Sequence, residues 1–383
     1  MSWRVPLFDT DIGPKEIQAV TRVMESGWLT MGPETAAFEE EFARYIGSRY
    51  AFMVSNCTAA LHLAHEVLSG GVGGEVICPS LSFVATANTI IHAGCTPVFT
   101  DCAGTDDLTI SHSDIEKKIT SATKGITVMH YGGHPCAMEE ILDIARRHNL
   151  YIVEDCAHSP GASIKGRMTG TFGDIGCFSF FSNKNLSTGE GGMIVTDRDD
   201  LAEMIRLLRS HGMTTLTLDR YKGHAFTYNV TSIGYNYRSS EINAAIGRIQ
   251  LVKLAEKNQK RQDLCRSYIE KIQQKNVGRR IVVPFEDCQE SSSSSWHIFV
   301  ILLPENVDRI RIMELIRKEG VQTSIHYPPI HMFKAFQQYA NGIYLPVLKS
   351  IESRLLTLPL YPSMCDADVD FVVGALDRAL KAQ

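Results

Sequence analysis

Apolar positions along the chain follow two rhythms, and the switches between them mark out the elements. Ile17, Val20 and Met24 recur at helical spacing over residues 14–25, which predicts a helix. Pro14 suits its first position and Gly27 can end it. Phe38, Phe42 and Tyr45 mark a second helix over 34–46. Short continuous apolar runs then read as strands: Tyr50–Val54, 75–78, 96–101, 125–131, Tyr151–Asp155, 175–181 and 193–196. Helical stripes lie between them. One opens at Cys57-Thr58 and carries Ala59, Ala60, Leu61 and Leu63. Met138–His148 carries Met138, Ile141, Leu142 and Ala145, and 200–210 carries Leu201, Met204, Ile205 and Leu208. Residues 125–155 thus form a strand–helix–strand unit, which predicts parallel strands and a right-handed crossover.

The pattern changes beyond residue 210. Residues 212–228 are polar and read as a long loop. A helix through Ile242, Ala245, Ile246 and Ile249 follows, then a long charged helix over 252–274 with Leu264, Tyr268 and Ile272. The second helix reads as a bridge from a large domain, 1–250, to a smaller one, 251–383. In the smaller part the pattern predicts strands at 296–303 and 322–327, a helix over 307–319 closed by Gly320, and a last helix capped by Asp366. The serine run from Ser291 reads as a polar loop. No internal repeat is visible.

Composition narrows the class. A chain of 383 residues can bury a substantial core, and 44% hydrophobic with 21% charged residues is the balance of a soluble globular protein. A net charge of −5 gives no general attraction to nucleic acid or anionic membrane, so an anionic substrate must be held by local groups. The ten cysteines show no CxxC pair or zinc-like spacing. No metal site is expected, and the reading is a reduced, cytoplasmic protein. There is no apolar signal region at 1–4 and no 18-residue apolar span.

The candidate chemistry centres on residues 179–192, Ser-Phe-Phe-Ser-Asn-Lys-Asn-Leu-Ser-Thr-Gly-Glu-Gly-Gly. A single lysine, Lys184, lies in a polar turn between two β-prone runs, beside glycines that permit close backbone approach. It reads either as a solvated turn lysine or as a Schiff-base lysine, whose amine must be held unprotonated. Upstream, the strand Tyr151–Asp155 ends in two carboxylates, at the strand end where α/β sheets bind ligands. An acid that keeps a pyridinium nitrogen protonated, followed by a lysine, is the layout that pyridoxal phosphate (PLP) requires. Ser55-Asn56-Cys57-Thr58 opens a helix, a ready anion site or an ordinary cap.

Glu154-Asp155-Cys156-Ala157-His158-Ser159-Pro160-Gly161-Ala162, Gly173-Asp174, Ser179 with Lys184, and Gly189-Glu190-Gly191-Gly192 together resemble the DegT/DnrJ/EryC1/StrS aminotransferase family. The resemblance covers nearly the whole chain. It implies an α/β fold of PLP type I: a large domain with a mostly parallel central sheet flanked by helices, plus a smaller α+β domain. It implies Lys184 as the Schiff-base lysine and Asp155 as partner of the pyridine nitrogen. Thr58, Ala59 and Ser179 would hold the phosphate, where the family usually has glycine in place of Cys57. His158 would contact the phenolic oxygen. Phe83 would stack on the ring, or be ordinary core. Trp28 and its Gly-Pro link would lie near the site, or be core.

The loop with Asn236 would reach a neighbour's phosphate site in a homodimer with shared active sites. Arg238, His326, Tyr327 and His331 would line the substrate pocket, or pack the two domains together. The implied reaction moves nitrogen from a donor, by family habit L-glutamate, through pyridoxamine phosphate to the ketone of a nucleotide-linked sugar. Relatives that deoxygenate sugars carry histidine at the lysine position, so Lys184 disfavours a dehydratase. Two alternatives stand beside it: an acceptor free of nucleotide, such as a ketocyclitol or antibiotic sugar precursor, and a non-catalytic regulator.

Overall fold

The structure is a computed structural model that describes residues 3–215, 227–279, 281–286 and 292–382. In chain order the helices and strands are α1 (Pro14–Ser26), α2 (Pro33–Ile46), β1 (Tyr50–Val54), α3 (Cys57–Ser69), β2 (Glu75–Pro79), α4 (Ala85–His92), β3 (Thr96–Thr100), α5 (His112–Lys118), β4 (Thr123–Met129), α6 (Met138–His148), β5 (Tyr151–Asp155), the short β6 (Ser163–Ile164) and β7 (Arg167–Met168), β8 (Ile175–Ser179), β9 (Gly192–Thr196) and α7 (Asp199–Leu208). They continue with α8 (Glu241–Gln274), β10 (Ser292–Ser293), β11 (Phe299–Leu302), α9 (Arg309–Lys318), α10 (Pro346–Ile351), β12 (Leu355–Leu358) and α11 (Asp366–Lys381).

Seven strands form the central sheet in the order β1-β9-β8-β5-β4-β2-β3. Every pairing from β8 to β3 is parallel, and only β9 runs against its neighbours. The strands at the middle, β5 and β8, are buried along almost their whole length, as in a sheet covered on both faces. Helix α3 packs Leu61, Ala64 and Val67 against Val153, Cys177 and Ile194 on one side. On the other side Phe38 and Phe42 of α2 meet Phe178 and Phe180. The α/β class with a mostly parallel sheet is therefore as the resemblance implies.

Four details depart from the sequence reading. The helices expected on either side of residue 251 are one continuous 34-residue α8, about 50 Å long at 1.5 Å per residue. It puts Ala244 and Leu254 into the core under the sheet, and Leu264, Cys265, Tyr268 and Ile272 into a second core with α9 and α11. The boundary expected at 250 falls inside this helix. The strand expected at 322–327 is absent; only single bridges form there, Val5 to Val321 and Ser324 to Thr357. The partner of β11 is instead β12, with Phe299 opposite Leu358. The last helix is capped by Cys365, whose N–H is accepted by Asp368 at 2.9 Å.

Among the described residues no helix is long and apolar enough to cross a membrane. Residues 216–226 of the expected loop, and Ser291 with Cys288, lie outside the described residues.

Candidate active site

Strand β8 ends at Ser179 and β9 begins at Gly192. The turn between them folds back on itself: Phe180 N–H donates to Gly191 O at 2.9 Å, Thr188 N–H to Phe180 O at 2.8 Å and Lys184 N–H to Phe181 O at 2.9 Å. Asn185 pins the turn to distant parts of the chain. Its amide nitrogen donates to Asn258 Oδ1 of α8 at 2.8 Å and to Ser295 O at 2.7 Å, and its Oδ1 faces His297 Nδ1 at 3.0 Å. Arg261 of α8, itself buried, donates to the carbonyls of His297 and Leu360 at 3.1 and 3.0 Å. Desolvation pulls its guanidinium down to about 10.

Lys184 Nζ lies 3.3 Å from His297 Nε2. Loss of water lowers the lysine to about 8, against the opposing pull of the Asp155 charge. An amine in that range loses its proton near neutrality, unlike an ordinary lysine.

Asp155 closes β5, flanked by Met129 of β4 and Cys177 of β8. It is 3% exposed. Burial pushes its carboxyl up; Thr86, the Ala157 amide and the Lys184 charge pull it down. Thr86 Oγ1 donates to Oδ2 at 2.8 Å and Ala157 N–H to Oδ1 at 3.1 Å. Each oxygen keeps capacity for another donor. Lys184 and Asp155 sense each other's charge, yet neither bond partner of one belongs to the other.

The neighbouring carboxylate, Glu154, faces the other side of the sheet. It accepts from Gly170 N–H at 2.7 Å and Gly173 N–H at 2.6 Å, and meets His130 Nε2 at 3.0 Å. His130 Nδ1 accepts from Cys136 N–H at 3.1 Å. The ligand atoms of His130, Glu154 and Cys156 lie within 4.8 Å of one another. Because the histidine and carboxylate atoms are already bonded, the trio works as a brace under β5.

The start of α3 lies beside the same strands. Asn56 caps it by accepting the Ala59 amide at 2.8 Å. The amides of Cys57 and Thr58 come before any intrahelical acceptor. Gly192, paired with Ser179 across β8 and β9, passes so close that a Cβ there would come within 2.5 Å of Asn56 C. The buried Cys57 thiol is pushed up by desolvation and by the Asp155 charge, with Lys184 opposing.

A ring of polar aromatics completes the surroundings. His158 Nδ1 accepts from Gly132 N–H at 3.3 Å, so its Nε2–H points to Tyr327 Oη at 2.9 Å. The His158 and His297 rings lie 4.3 Å apart. Burial, with the nearby Lys184 charge, holds both well below the usual histidine range. His326, lowered to about 4 by desolvation, bonds Thr357 Oγ1 at 3.0 Å, and its carbonyl accepts from Tyr131 Oη. Phe83 is exposed and lies 5.8 Å from the Tyr327 ring.

The structure thus gathers Lys184, Asp155, His158, His326 and Tyr327, with Ser179, Thr58 and Ala59 at the adjoining helix start. Three other expected residues bond to partners outside this group. His331 bonds Ser80 Oγ at 2.7 Å. Arg238 donates to Ser210 Oγ at 3.0 Å, and Asn236 is exposed, with its backbone bridged to Ser210. His297, Asn185, Thr86 and Tyr131 entered the site without being singled out from sequence. No spacing rule links a turn lysine to a histidine 113 positions away. A cavity of about 670 Å³ opens elsewhere, lined by Asp107, Glu139 and Phe285 among others.

Comparisons with known proteins point the same way. The model of the DegT/DnrJ/EryC1/StrS aminotransferase family matches residues 10–377. The spore coat polysaccharide biosynthesis protein SpsC of Bacillus subtilis is 39% identical over 378 residues, covering 97% of this chain and 95% of its own. Helicobacter pylori PseC, an aminotransferase involved in the biosynthesis of pseudoaminic acid, superposes with a TM-score of 0.92 at 27% identity, with 100% of both chains covered. Spr1654 of Streptococcus pneumoniae in its PLP form superposes with a TM-score of 0.89 at 26% identity, over 99% of each chain.

Proposed function

Because the chain belongs to the DegT/DnrJ/EryC1/StrS aminotransferase family and is accordingly a PLP-dependent transaminase, we propose that it transfers nitrogen from L-glutamate to the keto group of a nucleotide-linked sugar, at the site around Lys184 and Asp155. One observation carries this reading: a half-buried amine tuned to about 8 and a buried carboxylate influence each other without pairing. That arrangement fits a flat cationic ring between them. The cofactor, when bound, supplies an exchangeable carbonyl and a ring that takes up carbanion charge.

Each residue then has a task. Asp155 would hold a proton on the ring nitrogen, and the Thr86 hydroxyl favours its charged form and aims it. Lys184 takes up and returns the proton at the reacting carbon, which its low pKa favours near neutral pH. The Cys57 and Thr58 amides and the Ser179 hydroxyl offer donors to the phosphate. Ala59, already bonded to Asn56, shapes that end of the helix. Near the ring's phenolic oxygen, His158 would hold the Tyr327 hydroxyl with its N–H, Phe83 would cover a ring face, and Tyr327, His326, His331 and Arg238 would border the sugar. In a homodimer, Asn236 serves the second copy's phosphate. The enzyme works in the cytoplasm, where its nine described cysteines, all free, stay reduced.

Purified protein should show a visible band that borohydride reduction fixes covalently, and Lys184→Ala should lose the fixed label. L-glutamate should convert bound cofactor to pyridoxamine phosphate in a single turnover. UDP, dTDP or GDP should raise the melting temperature. A label retained in Lys184→Ala would refute the site, and silence with all three nucleotides would shift the acceptor to a nucleotide-free ketocyclitol or sugar.

A further inference from the structure

The hydrogen bonds behind Lys184 run in one direction only. Pro160 O can only accept, and it takes a bond from Asn258 Nδ2 at 2.9 Å. That fixes Asn258 with Oδ1 towards Asn185, where it accepts from Nδ2 at 2.8 Å. Ser295 O, a second pure acceptor, takes the other hydrogen of the same Nδ2 at 2.7 Å. Asn185 is therefore fixed as well, with Oδ1 towards His297 Nδ1 at 3.0 Å. An amide oxygen cannot donate, so the histidine proton must be on Nδ1. The lone pair of Nε2 then faces Lys184 Nζ at 3.3 Å.

From this polarity we infer that His297 is a positioning residue for Lys184: a neutral acceptor, locked in one tautomer by Asn185 and Asn258, that holds one N–H of the lysine amine and turns the nitrogen's reactive lone pair away from itself. The inference rests on the reading of Lys184 as the reactive amine. The surroundings support it. His297 is 4% exposed, packs against the tilted His158 ring at 4.3 Å, and has its backbone carbonyl tied to Arg261. Charging it would put a cation beside Lys184, Arg261 and His158, and all three disfavour that form. A locked acceptor differs from a free histidine, which could swing its N–H towards the amine and occupy the lone pair that has to react.

The sign of the effect is fixed. An acceptor bonded to the ammonium favours the charged form, so without it the lysine pKa falls further below its present value of about 8. The test compares two replacements in the full-length protein. Asn at 297 places a donor where Nδ1 stands but is too short to reach Lys184. Gln at 297 reaches the Nε2 position and can present an oxygen there. The readout is the rate at which cofactor-free protein binds pyridoxal phosphate covalently, followed by absorbance against pH, with Lys184→Ala as control.

For H297N the midpoint of this rate profile should drop by about one pH unit. In the loaded enzyme kcat should fall on the order of tenfold, with KM changed less than about twofold. H297Q should recover most of both. Asn258→Leu, which frees Asn185 to rotate, should shift the midpoint the same way by less, and tests the relay should H297N fold poorly. An unmoved midpoint in H297N and Asn258→Leu, or equal losses in H297N and H297Q at equal melting temperature, would overturn the inference. Covalent binding that persists in Lys184→Ala would instead refute the reading of the site itself.

Discussion

At the scale of single residues, the charge state of Asp155 depends on Thr86. Burial pushes this carboxyl up; the Thr86 hydroxyl, 2.8 Å from Oδ2, opposes that. Thr86→Val removes the donor with little change of shape. The Asp155 pKa then rises, so the acid limb of the kcat profile moves to higher pH. A profile with its acid limb unmoved would show that Thr86 does not govern this carboxylate. Asp155 and Lys184 were legible in the sequence because their signals are local: a carboxylate at a strand end, and a lysine in a turn bounded by two strands. Thr86 and His297 were not. Each reaches the site only through the way β-sheet, α4 and the β11 approach come together, and neither neighbourhood carries a pattern of its own.

Among elements, the N-terminus of α2 is held by a side chain from another helix. Gly32 precedes α2 and offers no capping side chain. Glu241, in the first turn of α8, supplies one instead. It accepts the amides of Gly32, Glu34 and Thr35 at 2.8 to 2.9 Å and the Thr35 hydroxyl at 2.6 Å. A carboxylate on free helix-start amides is favoured by charge and dipole together. Glu241→Ala leaves these donors buried and unmet, which should cost about 2–4 kcal/mol, read as a lowered midpoint in denaturant with an unchanged slope. Loss of under about 0.5 kcal/mol would mean that water replaces the carboxylate fully.

The same helix explains a misreading. Its middle turns inside out: Gln250 is 1% exposed and Val252 is 83% exposed. Gln250 is buried because it donates to Asp11 O and Glu16 Oε1 and accepts from Lys257 Nζ. That reversal interrupts the apolar stripe and made one helix read as two. β12 escaped notice for a related reason, since four residues are too few to show a period.

Over the molecule as a whole, folding traps histidines in the neutral form. His65 is fully buried and His134 nearly so; desolvation takes both from the ordinary 6.5 to about 3. His158 and His297 are lowered in the same direction. The unfolded chain protonates these groups as pH falls through 6.5, and the folded chain does not. Stability is therefore full above about pH 7 and declines from about 6.5 downwards, with each histidine adding up to about 1.4 kcal/mol per pH unit. Thermal melts across this range should show the decline, and His65→Leu should flatten it. Melting temperatures that stay level to pH 4 would contradict the assignment.

The bracing of Asn185 from Asn258, Ser295 and His297 has a consequence for anyone who would transplant chemistry between relatives. Residues 179–192 look like a portable cassette, complete in sequence, but their shape is dictated by groups encoded 73 to 112 positions later. A chimaera that exchanges only the cassette inherits the nucleophile and leaves behind what aims it. The smallest unit that evolution or design can swap intact is the turn together with its distant clamps.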